Sequence, residues 1–238
     1  GDTGKYNVVV GDNAGAAMIS ANRNVLIGKS AGSDLTHGVS NIAIGVNALD
    51  AANTAGGGSD GGSENYNIAI GEGALGAETT GAEYCVAIGH NALILQNADV
   101  KNTAIGGLAG DAITTGYSNT LIGYAAGSAG TTSDGTPAFN NNTMVGHQAG
   151  MAATQGGQNT FIGAYAGDAA VTGDDNTCVG YAAGTNLLSG PGNVLMGYGA
   201  GSQMTDGDYN VAIGFNAADA MVGASNLNVA IGKNALGA

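Results

Sequence analysis

Three histidines, two cysteines and a scatter of aspartates are the side chains of this sequence able to act as bases, nucleophiles or ligands. His37, His90 and His147 stand far apart, with no second histidine at the spacing that would let one helix face hold zinc. Cys85 and Cys178 form no Cys-x-x-Cys pair. No serine, histidine and acid are spaced as a triad, no Gly-x-x-x-x-Gly-Lys-Ser/Thr run cradles a phosphate, and the Gly-Gly-x-Gly-x-Asp calcium repeat is missing. What remains is acidic turns. Asp60 and Asp134 lie in Ser-Asp-Gly loops, and with Asp174, Asp175, Asp206 and Asp208 they offer carboxylate oxygens to calcium, although solvated turns are the plainer reading. No enzyme and no bound cofactor are expected.

The elements that carry these residues are copies of one another. Asn210-Val211-Ala212-Ile213-Gly214-Phe215-Asn216-Ala217 has relatives from one end of the sequence to the other. Numbering these residues as places one to eight, Gly holds place five and Ala place eight in every copy. Asn holds place one in all copies but one, where Cys85 replaces it. The spacings between first places, from Asn7 to Asn228, are 17, 17, 26, 18, 17, 17, 23, 17, 17, 17, 17 and 18. A fixed period of this size marks a solenoid, each repeat being one coil stacked on the last. The fold expected is all-β: a parallel β-solenoid of thirteen coils with a 17-residue period, one domain over residues 1–238, with polar loop inserts near 51–65 and 128–140.

Places two to four read as a strand and are apolar on both faces. Place four, Ile or Val except at Met196, is expected to face the core together with place two. Place three then points the other way, and a strand apolar on both faces needs cover on both. On that reading Leu26, Leu121, Met144, Phe161 and Leu195 at place three form an oligomer interface. Gly at place five ends the strand at a corner, and Ala at place eight makes a second one, followed by Gly in most copies and by Leu49, Leu75, Leu93 or Leu236 in others. The variable residues after it are expected to make a return strand and a loop. Asn at place one suggests an amide ladder running through the stack.

Two columns stand out. Place six carries Tyr124, Tyr181, Tyr198 and Phe215, the last three on consecutive coils, so that their rings would stack about 4.8 Å apart. Such a column can bind glycan rings or pack on itself, and the second is the favoured reading. Place two is Thr in five consecutive copies, Thr103, Thr120, Thr143, Thr160 and Thr177. A flat Thr column is what ice-binding solenoids display, but sharing a face with place four makes it an internal hydroxyl ladder instead.

Net charge −13, from five Lys and Arg against eighteen Asp and Glu, repels nucleic acid and anionic membranes alike. No apolar run is long enough to insert into a membrane. Cys85 and Cys178, five coils apart, are roughly 24 Å distant at about 4.8 Å per coil, beyond disulfide reach. An acyltransferase of hexapeptide coils would repeat Ile or Val every six residues, a rhythm that the loops here break.

Asn-Val-Ala-Ile-Gly at 210–214 and 228–232, with Asn-Ile-Ala-Ile-Gly at 41–45 and 67–71, resembles the head repeat of YadA-type trimeric autotransporter adhesins and similar repeats of phage tail fibres. The resemblance implies a left-handed β-roll with three chains side by side, the second apolar face buried at the trimer axis. The adhesin repeat is shorter and usually carries Ser after the Asn, where this chain has Val, Thr or Ile. The function expected is that of a non-enzymatic extracellular fibre protein at a cell or virion surface, a shaft or a segment binding a glycan or protein receptor. The alternative is a subunit that self-assembles end to end into a filament, since neither end carries an atypical polar capping repeat.

Overall fold

The computed structural model describes residues 4–51, 65–77, 82–96, 101–130, 139–169 and 171–237. Thirteen three-residue strands occupy places two to four of the thirteen coils: β1 Val8–Val10, β2 Val25–Ile27, β3 Ile42–Ile44, β4 Ile68–Ile70, β5 Val86–Ile88, β6 Thr103–Ile105, β7 Thr120–Ile122, β8 Thr143–Val145, β9 Thr160–Ile162, β10 Thr177–Val179, β11 Val194–Met196, β12 Val211–Ile213 and β13 Val229–Ile231. The chain is an all-β parallel solenoid with the period read from its sequence. It divides into two compact units, Gly1–Ser118 and Asn119–Ala238. In the first, β1 to β6 pair in parallel and in register, Val8 against Val25, Ile42 against Ile68 and Val86 against Thr103. In the second, β7 to β13 do the same, Thr120 against Thr143 and Val194 against Val211.

The faces are the reverse of those expected. Place three is the interior: Leu26, Leu121, Met144, Phe161 and Leu195 are completely buried inside their own chain, so they are core residues and not an oligomer interface. Places two and four point outward, half-buried or exposed, as at Ile122 and Ile162. The reason lies at the corners. Ala at place eight is buried in every coil from Ala31 to Ala217, and it closes on the same side of the strand as place three.

Place nine decides how large place three can be. Gly167 has φ 55°, and a Cβ there would stand 2.6 Å from the Phe161 ring. Gly32 and Gly127 would meet Leu26 and Leu121 in the same way, at 2.8 Å. Where place nine is Leu49, Leu75 or Leu93, place three is Ala43, Ala69 or Ala87, and all six side chains are fully buried. In these coils one slot is thus filled either from the strand or from the corner. The residue eleven after place one is buried as well, at Leu35 and Ile113 in the first unit and at Leu187 and Met204 in the second.

No second strand per coil is present among the described residues, contrary to the return strand expected. The way back is made of turns and bends, with isolated parallel bridges only at Asn22–Val39, Val39–Asn65 and Asn65–Glu83. Gly at place five acts as foreseen: Gly146 has φ 143°, and a Cβ on it would lie 2.5 Å from the Gly163 carbonyl oxygen of the next coil. The loop inserts fall mostly on residues outside those described.

Candidate functional site

Asn at place one is structural. The backbone N–H of Asn41 donates to Asn24 Oδ1 at 2.9 Å, and the same bond joins Asn159 to Asn142 and Asn210 to Asn193 at 2.9 Å. The Asn Nδ2 donates across its own coil to a carbonyl fourteen residues on, as from Asn24 to Gly38 at 2.8 Å and from Asn193 to Gly207 at 2.7 Å. Each buried amide therefore closes one coil and fastens it to the previous one, which satisfies polar atoms that would otherwise be costly to bury. Asn176 is the exception. Its Nδ2 has no partner, and the carbonyl fourteen residues on, Gly190, accepts from Asn193 Nδ2 at 3.2 Å instead.

The outward face of the strands is the first candidate surface. Places two and four carry only Val, Ile and Thr apart from Met196. None is charged and none aromatic, and β-branched side chains on a parallel sheet hold few rotamers. Thr120, Thr143, Thr160 and Thr177 form a column on this face in the second unit, half-buried in the single chain, and Thr103 has the same place in the first. The internal hydroxyl ladder expected for them is therefore an external one, because place two faces outward.

The second candidate is aromatic. Tyr124 stacks on His147, ring centroids 5.6 Å apart and planes 19° off parallel. Tyr165 stands edge-on to both His147, at 5.3 Å, and Tyr181, at 5.6 Å. Tyr181, Tyr198 and Phe215 follow in a parallel stack at 5.1 Å per step, and Lys233 Nζ lies 5.7 Å from the Phe215 centroid. The rings of Tyr124, Tyr181, Tyr198 and Phe215 are about half exposed. Their faces are turned on one another, so what reaches solvent is ring edge and hydroxyl. The sequence reading found four of these rings and missed two: His147, which holds place six like the others, and Tyr165, which enters from place seven with φ 60°. In the first unit Tyr66 and Tyr84, each directly before place one with φ near 60°, stack at 5.0 Å and 10°.

Among the described residues no three His, Cys, Asp or Glu side chains gather to hold a metal ion. Asp60 and Asp134 lie outside those residues. Asp174 and Asp206 are engaged in the stack, Asp174 Oδ1 accepting from the Gly157 N–H at 2.7 Å and Asp206 Oδ1 from Ser189 Oγ at 2.9 Å. Asp50 and Glu72 line a shallow cleft with Asn47 and Asn91, where burial pushes the Asp50 carboxyl above its usual range. Cys85 and Cys178 are buried and form no disulfide, and burial pushes the Cys178 thiol up to about 12. A thiol held protonated inside the coil is neither nucleophile nor ligand.

Searches of protein-family models, curated proteins and solved structures return no match to this chain.

Proposed function

We propose that this chain is a segment of an extracellular fibre, without enzymatic activity, that works as a homotrimer and forms a shaft or receptor-binding part of an adhesin or tail fibre. The observation that carries this reading is the outward face of places two and four: an unbroken run of Val, Ile and Thr within each unit, interrupted only by Met196 and free of charge in a chain of net charge −13. An apolar patch of this extent on one chain calls for a partner surface of the same chemistry. A second and third copy supply it, because cyclic symmetry sets each column against itself at the same height. Among the described residues every Asp and Glu lies outside the strands, so no carboxylate stands on that face to oppose the association. The likeness of the repeat to trimeric adhesin heads supports the same arrangement.

Light scattering over a hundredfold concentration range tests it. A fixed mass of three chains is expected, and an Ile162→Asp chain that is folded and monomeric would locate the contact. A wild-type mass of one chain would overturn the reading, and steady growth with concentration would favour end-to-end assembly in its place.

A further inference from the structure

The coils bring tyrosines together for a chemistry that the fibre reading does not use. Of the nine tyrosines, Tyr66 and Tyr84 in the first unit and Tyr181 and Tyr198 in the second are parallel neighbours on adjacent coils, with centroids 5.0 and 5.1 Å apart and planes within 13°. All four rings are about half exposed. Each pair repeats one place of the coil, so both partners leave the backbone in the same direction. Their hydroxyls and the adjoining Cε carbons therefore lie side by side at the surface.

The geometry points to two oxidative cross-linking sites, Tyr66–Tyr84 and Tyr181–Tyr198, at which a peroxidase using hydrogen peroxide joins adjacent coils through a dityrosine bond. Each phenol gives one electron and its hydroxyl proton to the oxidant and becomes a phenoxyl radical. The two radicals couple by a Cε–Cε bond, and the hydrogens on those carbons move to the oxygens, restoring both phenols. The peroxide takes up the two electrons and two protons and leaves as two waters.

Neighbouring groups sharpen the choice. Above Tyr198 lies Phe215, 5.1 Å away, which has no hydroxyl to lose. Below Tyr181, Tyr165 stands edge-on at 78° and out of register for parallel coupling. The thiols that would quench a tyrosyl radical, Cys85 and Cys178, are buried. Tyr181 and Tyr198 lie at place six and Tyr66 and Tyr84 directly before place one, off the outward strand face, so cross-linking and chain association do not compete. The bond would close a covalent ring of about one coil, making the coil-to-coil contact permanent where it is otherwise held by hydrogen bonds and packing.

The test is oxidation of the folded, full-length chain by a haem peroxidase and hydrogen peroxide, followed by denaturing electrophoresis and peptide mass mapping. Expected are single chains that gain dityrosine fluorescence, lose two hydrogens per link, and yield joined peptides containing Tyr66 with Tyr84 and Tyr181 with Tyr198. Tyr84→Phe should remove the first link alone and Tyr198→Phe the second alone, the surviving link proving that the chain is folded and the oxidant active. The proposal is overturned by links that run between chains instead, by an absence of these links in the oxidised wild type, or by the same pairing in a chain unfolded with guanidinium chloride.

Discussion

Gln96 Nε2 donates to Cys85 Sγ at 3.0 Å, and Gln96 Oε1 accepts from Asn102 Nδ2 at 3.0 Å. Cys85 is the one residue that interrupts the Asn column, and Gln96, fully buried, brings an amide back into the gap from eleven residues further on. Gln96→Leu should cost about 1–3 kcal/mol, the usual range for a buried polar partner left unsatisfied. Adding Cys85→Asn to Gln96→Leu should recover part of that loss, read as a double-mutant cycle from urea midpoints. Strict additivity of the two changes would mean that the residues act independently.

The shared core slot gives a second expectation. Ala69→Leu forces a new side chain against Leu75, and overpacking of this kind costs about 1–3 kcal/mol. Adding Leu75→Gly empties the corner, since Leu75 already has φ 50° and Gly adopts that conformation without strain. The double variant should come back to within about 1.5 kcal/mol of wild type by thermal unfolding. Failure of the second change to rescue the first would show that the slot is not shared.

Adjacent residues on β9 should respond in opposite ways. Phe161→Asp buries an unpaired carboxylate in the coil and should abolish folding, as even Phe161→Ala is expected to cost about 3–5 kcal/mol. Ile162→Asp lies on the outward face and should leave circular dichroism intact. Equal loss of structure in both would put the second residue in a core as well.

Glycine at place five should be strict. Gly146→Ala puts a methyl group into contact with the next coil's carbonyl at φ 143°, a backbone conformation that a Cβ resists. A drop in melting temperature with the coil above it exchanging amide hydrogens faster is the expected result. An unchanged exchange pattern would show that the coils have room to separate.

Asp50 and Asp111 carry raised pKa values, burial being the main cause in each. A carboxyl with a raised folded pKa binds its proton more tightly when folded. Its contribution is therefore most favourable below the unfolded value near 3.8, declines as pH rises through the folded pKa, and is level above it. Asp50→Asn with Asp111→Asn should flatten the slope of melting temperature between those limits and be neutral to stabilising at pH 7. A steeper slope in the double variant would reverse the sign of this account.

The coil, its period and its corner glycines were legible because strict spacing leaves few other architectures. The assignment of faces was not. Places two, three and four are apolar in nearly every copy, so alternation alone gives no inside. Size gave the signal. Place three ranges from Ala43 to Phe161 and trades volume with place nine, as a packed interior requires, whereas places two and four keep almost wholly to β-branched residues of one girth. Gln96 was readable on the same logic, as a polar residue appearing inside the one coil whose first place lacks Asn. His147 was readable too, since it holds place six, but the joining of Tyr165 to the aromatic column was not, since a ring entering from the neighbouring place depends on the left-handed backbone at Tyr165.

Pairing of β2 to β3, or of β9 to β10, is the same residue-for-residue match repeated. Heredity can therefore act on this chain in quanta. Duplication or deletion of a whole 17-residue stretch keeps every side chain at its own address, inside or out, and changes only length. A single residue gained within a strand would turn its inward residues outward. Gain or loss of whole copies would then serve as a means of adjusting reach, with the number of coils as the scale.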